Sequence, residues 1–397
     1  MPPKLLKGIT WAHSRGITPL LAAGQRFSEL FPDTTIQWAK RSLQAFADEP
    51  LEDLTRDFDL LIIDHPWVGC AAATGCVLPL DTLLPSAYLE DQARNSVGNS
   101  YFSYHYADHL WALPIDAATP VASWRKDLLD AHSVPVPDTW EDVLGLAERG
   151  RVAVPAIPID ILMNFYMFCI AHGNAPFQNR DVVIDERTGV AALATMQELY
   201  GRINQRFFRS NPIAVAEVMS TTDDYWYCPF AYGYSNYARN GYADKLLTYG
   251  DLVRFGTPAV SGAGASSGSR LRSTIGGTGI AVSAFSENPE DALRFAQWIV
   301  SPRIQSTLYV ATGGQPGHRA AWTAPASNAI CNGYFQATLP ALERGYTRPR
   351  YNGYLHFQDH AGDPIRDYLM GQGTAGSTLK EINEIYKRSL TLENVIV

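Results

Sequence analysis

The sequence predicts an α/β fold built on doubly wound sheets, on three observations. The first 64 residues alternate strand and helix patterns as β-α-β-α-β. The run Phe58-Asp59-Leu60-Leu61-Ile62-Ile63-Asp64 is short and apolar, as a buried parallel strand requires. The 397 residues are 46% hydrophobic and 18% charged, enough to fill the cores of two or three domains.

Gly8 to Trp11 reads as the first strand. Thr18-Pro19 reads as a helix start, with Thr as N-cap and Pro at the first helical position. Leu20, Ala23, Phe27, Leu30 and Phe31 then recur at helical spacing until Pro32. Thr35 to Trp38 reads as the second strand and Leu43 to Leu54 as a helix. The third strand ends at Asp64, followed by His65-Pro66-Trp67. Ligands of open α/β sheets sit beyond the carboxyl ends of strands. His13 and Arg15 are therefore expected to face Asp64 and His65. Further on, Leu110 to Asp116 is strand-like, Thr139 opens a helix, and Tyr225 to Tyr234 is an aromatic strand. Ser261 to Ser269 is rich in Gly and Ser. Ile275 to Val282 resumes a strand, and Pro289 starts an amphipathic helix.

A net charge of -8 argues against nucleic acid as a partner. No apolar run reaches the roughly 18 residues of a membrane span. No secretory signal is visible after Lys4 and Lys7, because His13, Ser14 and Arg15 interrupt the apolar segment. A signal removed beforehand or a cytosolic location would both account for this. The five cysteines are widely spread, without C-x-x-C spacing, and fit reduced, mostly buried thiols.

Three motif classes fail. Gly262, Gly264 and Gly268 miss the G-x-G-x-x-G spacing by one residue. Gly233-Tyr234-Ser235-Asn236 lacks the second Gly of a nucleophile elbow. The pairs His105/His109 and His356/His360 lack the Glu of H-E-x-x-H, and His13, Asp64 and His65 make a weak ligand set. Neither a metal nor a cofactor is expected.

Several passages are similar to one family. Trp111-Ala112-Leu113-Pro114-Ile115-Asp116, then Trp124-Arg125-Lys126-Asp127-Leu128-Leu129, resemble its "Y-G-L-P … Y-Y-N-K-D-L-F" passage. Asp138-Thr139-Trp140-Glu141-Asp142 resembles "P-x-T-W-D-E". Gly276-Gly277-Thr278-Gly279-Ile280-Ala281-Val282-Ser283 resembles "G-G-x-G-x-A-I-S". The family is that of the extracellular solute-binding proteins of family 1, receptors of carbohydrate ABC transporters. The resemblance implies a type II periplasmic-binding-protein fold, with two α/β lobes closing by a hinge over one cleft. It implies one lobe of residues 1–115 and 274–314 and another of 116–273 and 315–397. It also implies a periplasmic location, an ABC permease as partner, and a monomer.

Carried onto this sequence, the family's site falls on Trp11, His13, Arg15, Asp64, His65, Trp67, Asp116, Tyr225, Trp226, Tyr232, Gly276 and Gly277. Carboxylates accept paired hydroxyls, aromatic faces stack on sugar rings, and Gly276-Gly277 allows close backbone approach. The expected ligand is a sugar or, because Arg15 joins His13 and His65, a sugar acid whose carboxylate Arg15 pairs. Internal pairing of Arg15 with Asp64 or Asp116 is the alternative. If the protein is instead a cytosolic enzyme, an isomerase, lyase or hydrolase, then His13, Asp64, His65 and Asp116 are its acid–base candidates. A metabolite sensor on the same fold is a further possibility.

Overall fold

A computed structural model describes residues 3–42, 50–256 and 268–392. In chain order the principal elements are β1 (Lys4–Trp11), α1 (Ser14–Leu30), β2 (Thr34–Arg41), α2 (Leu51–Asp57) and β3 (Leu60–Ile63). Then come α3 (Val68–Thr74), α4 (Ser86–Asn95), β4 (Leu113–Ala118), β5 (Pro120–Trp124) and α5 (Trp140–Glu148). The helices α6 (Pro158–Ala171), α7 (Glu186–Tyr200) and α8 (Pro212–Thr221) lead to β6 (Tyr227–Tyr232) and β7 (Thr248–Gly250). The chain finishes with β8 (Gly276–Val282), α9 (Pro289–Ile299), α10 (Tyr334–Glu343), α11 (Tyr354–Leu369) and α12 (Ala375–Leu392).

Among the described residues, one sheet has the order β2-β1-β3-β8-β4. β1 runs parallel to β2 and β3, as the β-α-β-α-β pattern requires. β8 enters antiparallel between β3 and β4. The second sheet is β6-β5-β7, antiparallel throughout. Val152 adds a single parallel bridge to Tyr227. Around this sheet pack the helices, with α11 against α6 and α12. The expected helix from Leu43 lies partly outside the described residues, and the Gly/Ser stretch mostly so.

Two apolar cores follow. Leu6, Phe27, Leu61, Ile63, Leu113, Ile115, Ile280 and Phe295 belong to one. Ala117, Val121, Phe165, Tyr200, Tyr227, Ile275, Trp322 and Phe357 belong to the other. The chain passes between cores after Ile115, between Ile275 and Ile280, and between Tyr309 and Val310.

Two local departures from the expected elements matter for the site. Helix α1 starts five residues early, because the His13 ring, rather than Thr18, accepts from the Arg15 N–H at 3.0 Å. Pro19 is then inside the helix, and Arg15 is in its first turn. The second departure is the segment 346–352, which the sequence left unassigned. Ile275 N donates to Tyr346 O at 2.7 Å, fixing its start. At its other end α3 rests directly on backbone: a Cβ on Gly69 would lie 2.0 Å from Arg350 O and 2.7 Å from Asn352 N. A Gly69→Ala substitution therefore forces two backbones apart. It is expected to cost about 1–3 kcal/mol, read as a lower urea midpoint with an unchanged slope.

Candidate functional site

A cavity of about 690 Å³ draws its lining from both cores. The ends of β1 and β3 bring Trp11 and Asp64, and the first turn of α1 brings Arg15. The start of β8 brings Gly276, Gly277 and Thr278, and the end of β6 brings Tyr232. The first turn of α6, the start of α8 and the exposed rim of α11 complete the lining.

Arg15 is 4% exposed and pairs with Asp116, its Nε donating to Oδ2 at 2.9 Å and its Nη2 to Oδ1. Nη1 donates to Gly233 O at 3.0 Å, and the guanidinium lies 4.8 Å from the centre of the Tyr234 ring. Burial alone would lower the Arg15 pKa, but the Asp116 charge outweighs it and holds the guanidinium firmly protonated. Burial pushes Asp116 upward, and Arg15 opposes this. Internal pairing with Asp116 is thus what the structure shows. The charge expected to face a ligand carboxylate is already matched, so Arg15 does not favour a sugar acid.

The second pair joins residues 284 positions apart: Arg348 Nη2 donates to both Asp64 oxygens at 2.7 Å. Arg348 Nη1 donates to Gln358 Oε1 at 2.7 Å. Burial works against ionised Asp64, yet Arg348 and His65 hold its carboxyl well below the usual range. His65 lies behind Asp64, 1% exposed, with its ring edge-on to Tyr104. Burial, then the Arg348 charge, lowers the His65 pKa to about 4. Its Nε2 is buried without a hydrogen-bond partner among the described residues.

Apolar faces surround these pairs. Trp11 packs over the α-carbon of Gly16, where a Cβ would come within 2.6 Å of the indole. Gly276 gives the same clearance to the Tyr232 ring, at 2.5 Å. Gly277 has φ +96°, and a Cβ there would lie 2.3 Å from Asp116 O. Only glycine fits both that conformation and that approach.

Six of the twelve expected site residues line the cavity: Trp11, Arg15, Asp64, Tyr232, Gly276 and Gly277. Asp116 lies beneath, held by Arg15. The other five do not line it. His13 caps α1 and turns to Tyr234 and Tyr242. Burial, with the Arg15 charge, lowers its pKa to about 4. His65 is enclosed behind Asp64. Trp67 is a core side chain, because the strand end turns at once into a short 3-10 helix that points it inward. Tyr225 and Trp226 precede β6, at its opposite end from Tyr232. Tyr225 packs on Phe207, and Trp226 stacks on His132. Arg348, Asp160 and Tyr234 line the cavity and were not anticipated. Asp160 had a signal, an acid two residues after a helix-starting proline in an otherwise apolar helix; Arg348 had none.

Among the described residues no His, Cys, Asp or Glu cluster could hold a metal ion. The rings of His356 and His360 lie tilted against each other on α11, their centres 4.3 Å apart, and His105 and His109 sit in a two-strand hairpin.

The fold is similar to maltose-bound T. maritima MalE3, at TM-score 0.82 and 16% identity over 97% of this chain and 99% of that one. It is similar to an ABC transporter solute-binding protein from Agrobacterium radiobacter K84 in complex with ribitol, at TM-score 0.79 and 19% identity over 98% and 100%. It is also similar to one from Thermotoga lettingae bound with α-D-tagatose, at TM-score 0.79 and 16% identity over 98% and 100%. These likenesses show the periplasmic-binding-protein fold. A stretch of 137 residues is 31% identical to a histamine oxidase from Arthrobacter globiformis, covering 31% of this chain. The chain spans 20% of the length of that curated relative. The family model of the bacterial extracellular solute-binding proteins matches residues 27–328, and the chain belongs to that family.

Proposed function

We propose that this protein captures a polyhydroxylated carbohydrate between two lobes and passes it, unchanged, to the permease of an ABC importer. The lobes are 1–115 with 274–314, and 116–273 with 315–397, and they close on the ligand by a hinge at the strand crossings. The observation that carries the reading is the cavity itself. It draws on both cores, and its volume suits a small ligand, for which pockets of roughly 300–1,000 Å³ are usual. It combines aromatic faces with buried polar groups whose charges are largely matched within the chain. That is the surface a hydroxyl-rich neutral ring needs. The similar folds from T. maritima, A. radiobacter and T. lettingae carry maltose, ribitol and tagatose, which supports the same ligand class here.

An acid–base enzyme is less well supported. Of His13, Asp64, His65 and Asp116, only Asp64 lines the cavity, and Arg348 holds it ionised. The test is a thermal-shift panel of maltose, ribitol and D-tagatose, followed by mass and NMR spectra of each recovered ligand. At least one is expected to raise the melting temperature and to return chemically intact. Conversion of the ligand, or no shift from any of the three, counts against capture.

A further inference from the structure

Asp160 stands apart from Arg15, Asp64 and Arg348, the paired charges of the cleft. It sits in the first turn of α6, a helix whose residues from Asp160 to Cys169 are all buried. It is 6% exposed, and its Oδ2 is buried without a hydrogen-bond partner among the described residues. It nevertheless lines the cavity. Lacking a partner, it is pushed by burial up to about 8. Such a group is normally selected against in an apolar helix, since a buried carboxylate without a donor is strongly disfavoured.

The neighbouring charges do not supply that donor. Arg15 is committed to Asp116 and Gly233, and Arg348 to Asp64 and Gln358. Arg366 pairs with Asp363, another residue of the lining, and the lining's His360 turns its Nδ1 to His356 O at 2.8 Å. The N-terminal end of α6 favours a negative group, and Asp160 already occupies its first turn. Among the described residues the cleft is therefore poorly suited to an acidic ligand, and Asp160 offers it an unmatched carboxylate against apolar walls formed by Ile157, Pro158 and Met163.

We propose that Asp160 is the specificity-determining residue of this cleft, and that it selects a carbohydrate carrying an ammonium group, such as an amino sugar or amino polyol, over neutral and acidic sugars. This rests on the capture reading above. The ammonium donates to the carboxylate, a charge-assisted bond that is strong in a site lined by apolar side chains. Binding draws Asp160 to its ionised form, so the proton it carries near neutral pH leaves to the buffer.

The experiment is isothermal titration of the full chain at pH 7 with D-glucosamine, D-glucose and D-glucuronate. It is run in phosphate and in Tris, for the natural protein and for Asp160→Asn. Glucosamine is expected to bind about tenfold or more tighter than glucose, with glucuronate weakest. Its binding enthalpy is expected to differ between the two buffers, reporting the released proton. In Asp160→Asn the preference should fall to within about threefold and the buffer dependence should vanish. That variant should also melt at a higher temperature at pH 7, because an unpartnered buried acid has been removed. This melting shift separates lost recognition from a damaged fold. Glucose or glucuronate binding as tightly as glucosamine overturns the proposal, as does a preference that survives in Asp160→Asn. A natural protein that binds maltose, ribitol or tagatose but not glucosamine overturns it too, and leaves capture standing. No saturable binding of any of the six sugars overturns the capture reading itself, and the proposal with it.

Discussion

An Arg15→Ala protein is expected to lose about 3–5 kcal/mol of stability, the usual cost of leaving one member of a buried ion pair alone. Asp116 would remain with its side chain fully buried and its partner gone. Gly233 O would lose its donor as well, and the Tyr234 ring its cation. The loss is read from urea unfolding at pH 7. The double variant Arg15→Met with Asp116→Leu is expected to recover most of it, since apolar side chains of similar volume often replace a buried pair without penalty. If Arg15→Ala were instead neutral for folding and destroyed only ligand binding, the pair would be a recognition device rather than part of the frame.

His65 should make the protein acid-sensitive above the range where carboxylates act. In the folded chain its pKa is about 4, and in the unfolded chain it returns to near 6.5. The unfolded state therefore binds this proton first as pH falls. The stabilising contribution is complete above pH 6.5 and is lost as pH drops towards 4. At roughly 1.4 kcal/mol per tenfold change, the contribution is about 3 kcal/mol. Burial sets it first; of the neighbouring charges, Arg348 and Arg350 also oppose protonation, and Asp64 favours it. Stability measured from pH 7 to pH 4.5 should fall less steeply in His65→Gln, by close to one proton. Equal slopes in the two proteins would show that the ring is accessible and protonates freely in the fold. Buried as it is, His65 serves the frame, by filling space behind Asp64, rather than moving a proton for a substrate.

The first sheet was legible because its strands and helices carry strong periodicity and each feeds the next along the chain. The family passages around Trp111, Thr139 and Gly276 also fall on real structural events. Leu113 to Ala118 forms β4 at the first crossing between cores. Thr139 closes a capping box with Asp142. Gly276 and Gly277 open β8 at the cleft.

What failed did so for physical reasons. Tyr225 and Trp226 belong with the right strand, but β6 carries its cleft-facing aromatic at the other end. Trp67 follows the cleft-edge acid by three residues, yet a single tight turn takes it inward. His13 looked like a ligand contact and is a helix cap, because an imidazole accepting the Arg15 N–H replaced the expected Thr18. Arg348 was beyond reach. Its place beside Asp64 depends on the segment that Gly69 admits and that Arg350 ties to Phe102 O and His105 O, each at 2.6 Å. No local pattern encodes a contact between residues 284 positions apart.

The most direct measurement of capture is equilibrium titration of the full chain with maltose, ribitol, D-tagatose and D-glucosamine. Intrinsic tryptophan fluorescence gives the signal, since Trp11 lines the cavity, and the NMR spectrum of the ligand is taken before and after. The account predicts a saturable change with one ligand per chain, lost when Trp11 is replaced by Phe, and a ligand spectrum unchanged after prolonged incubation. Turnover of the bound sugar, or saturable binding that leaves Trp11 unperturbed, would contradict it.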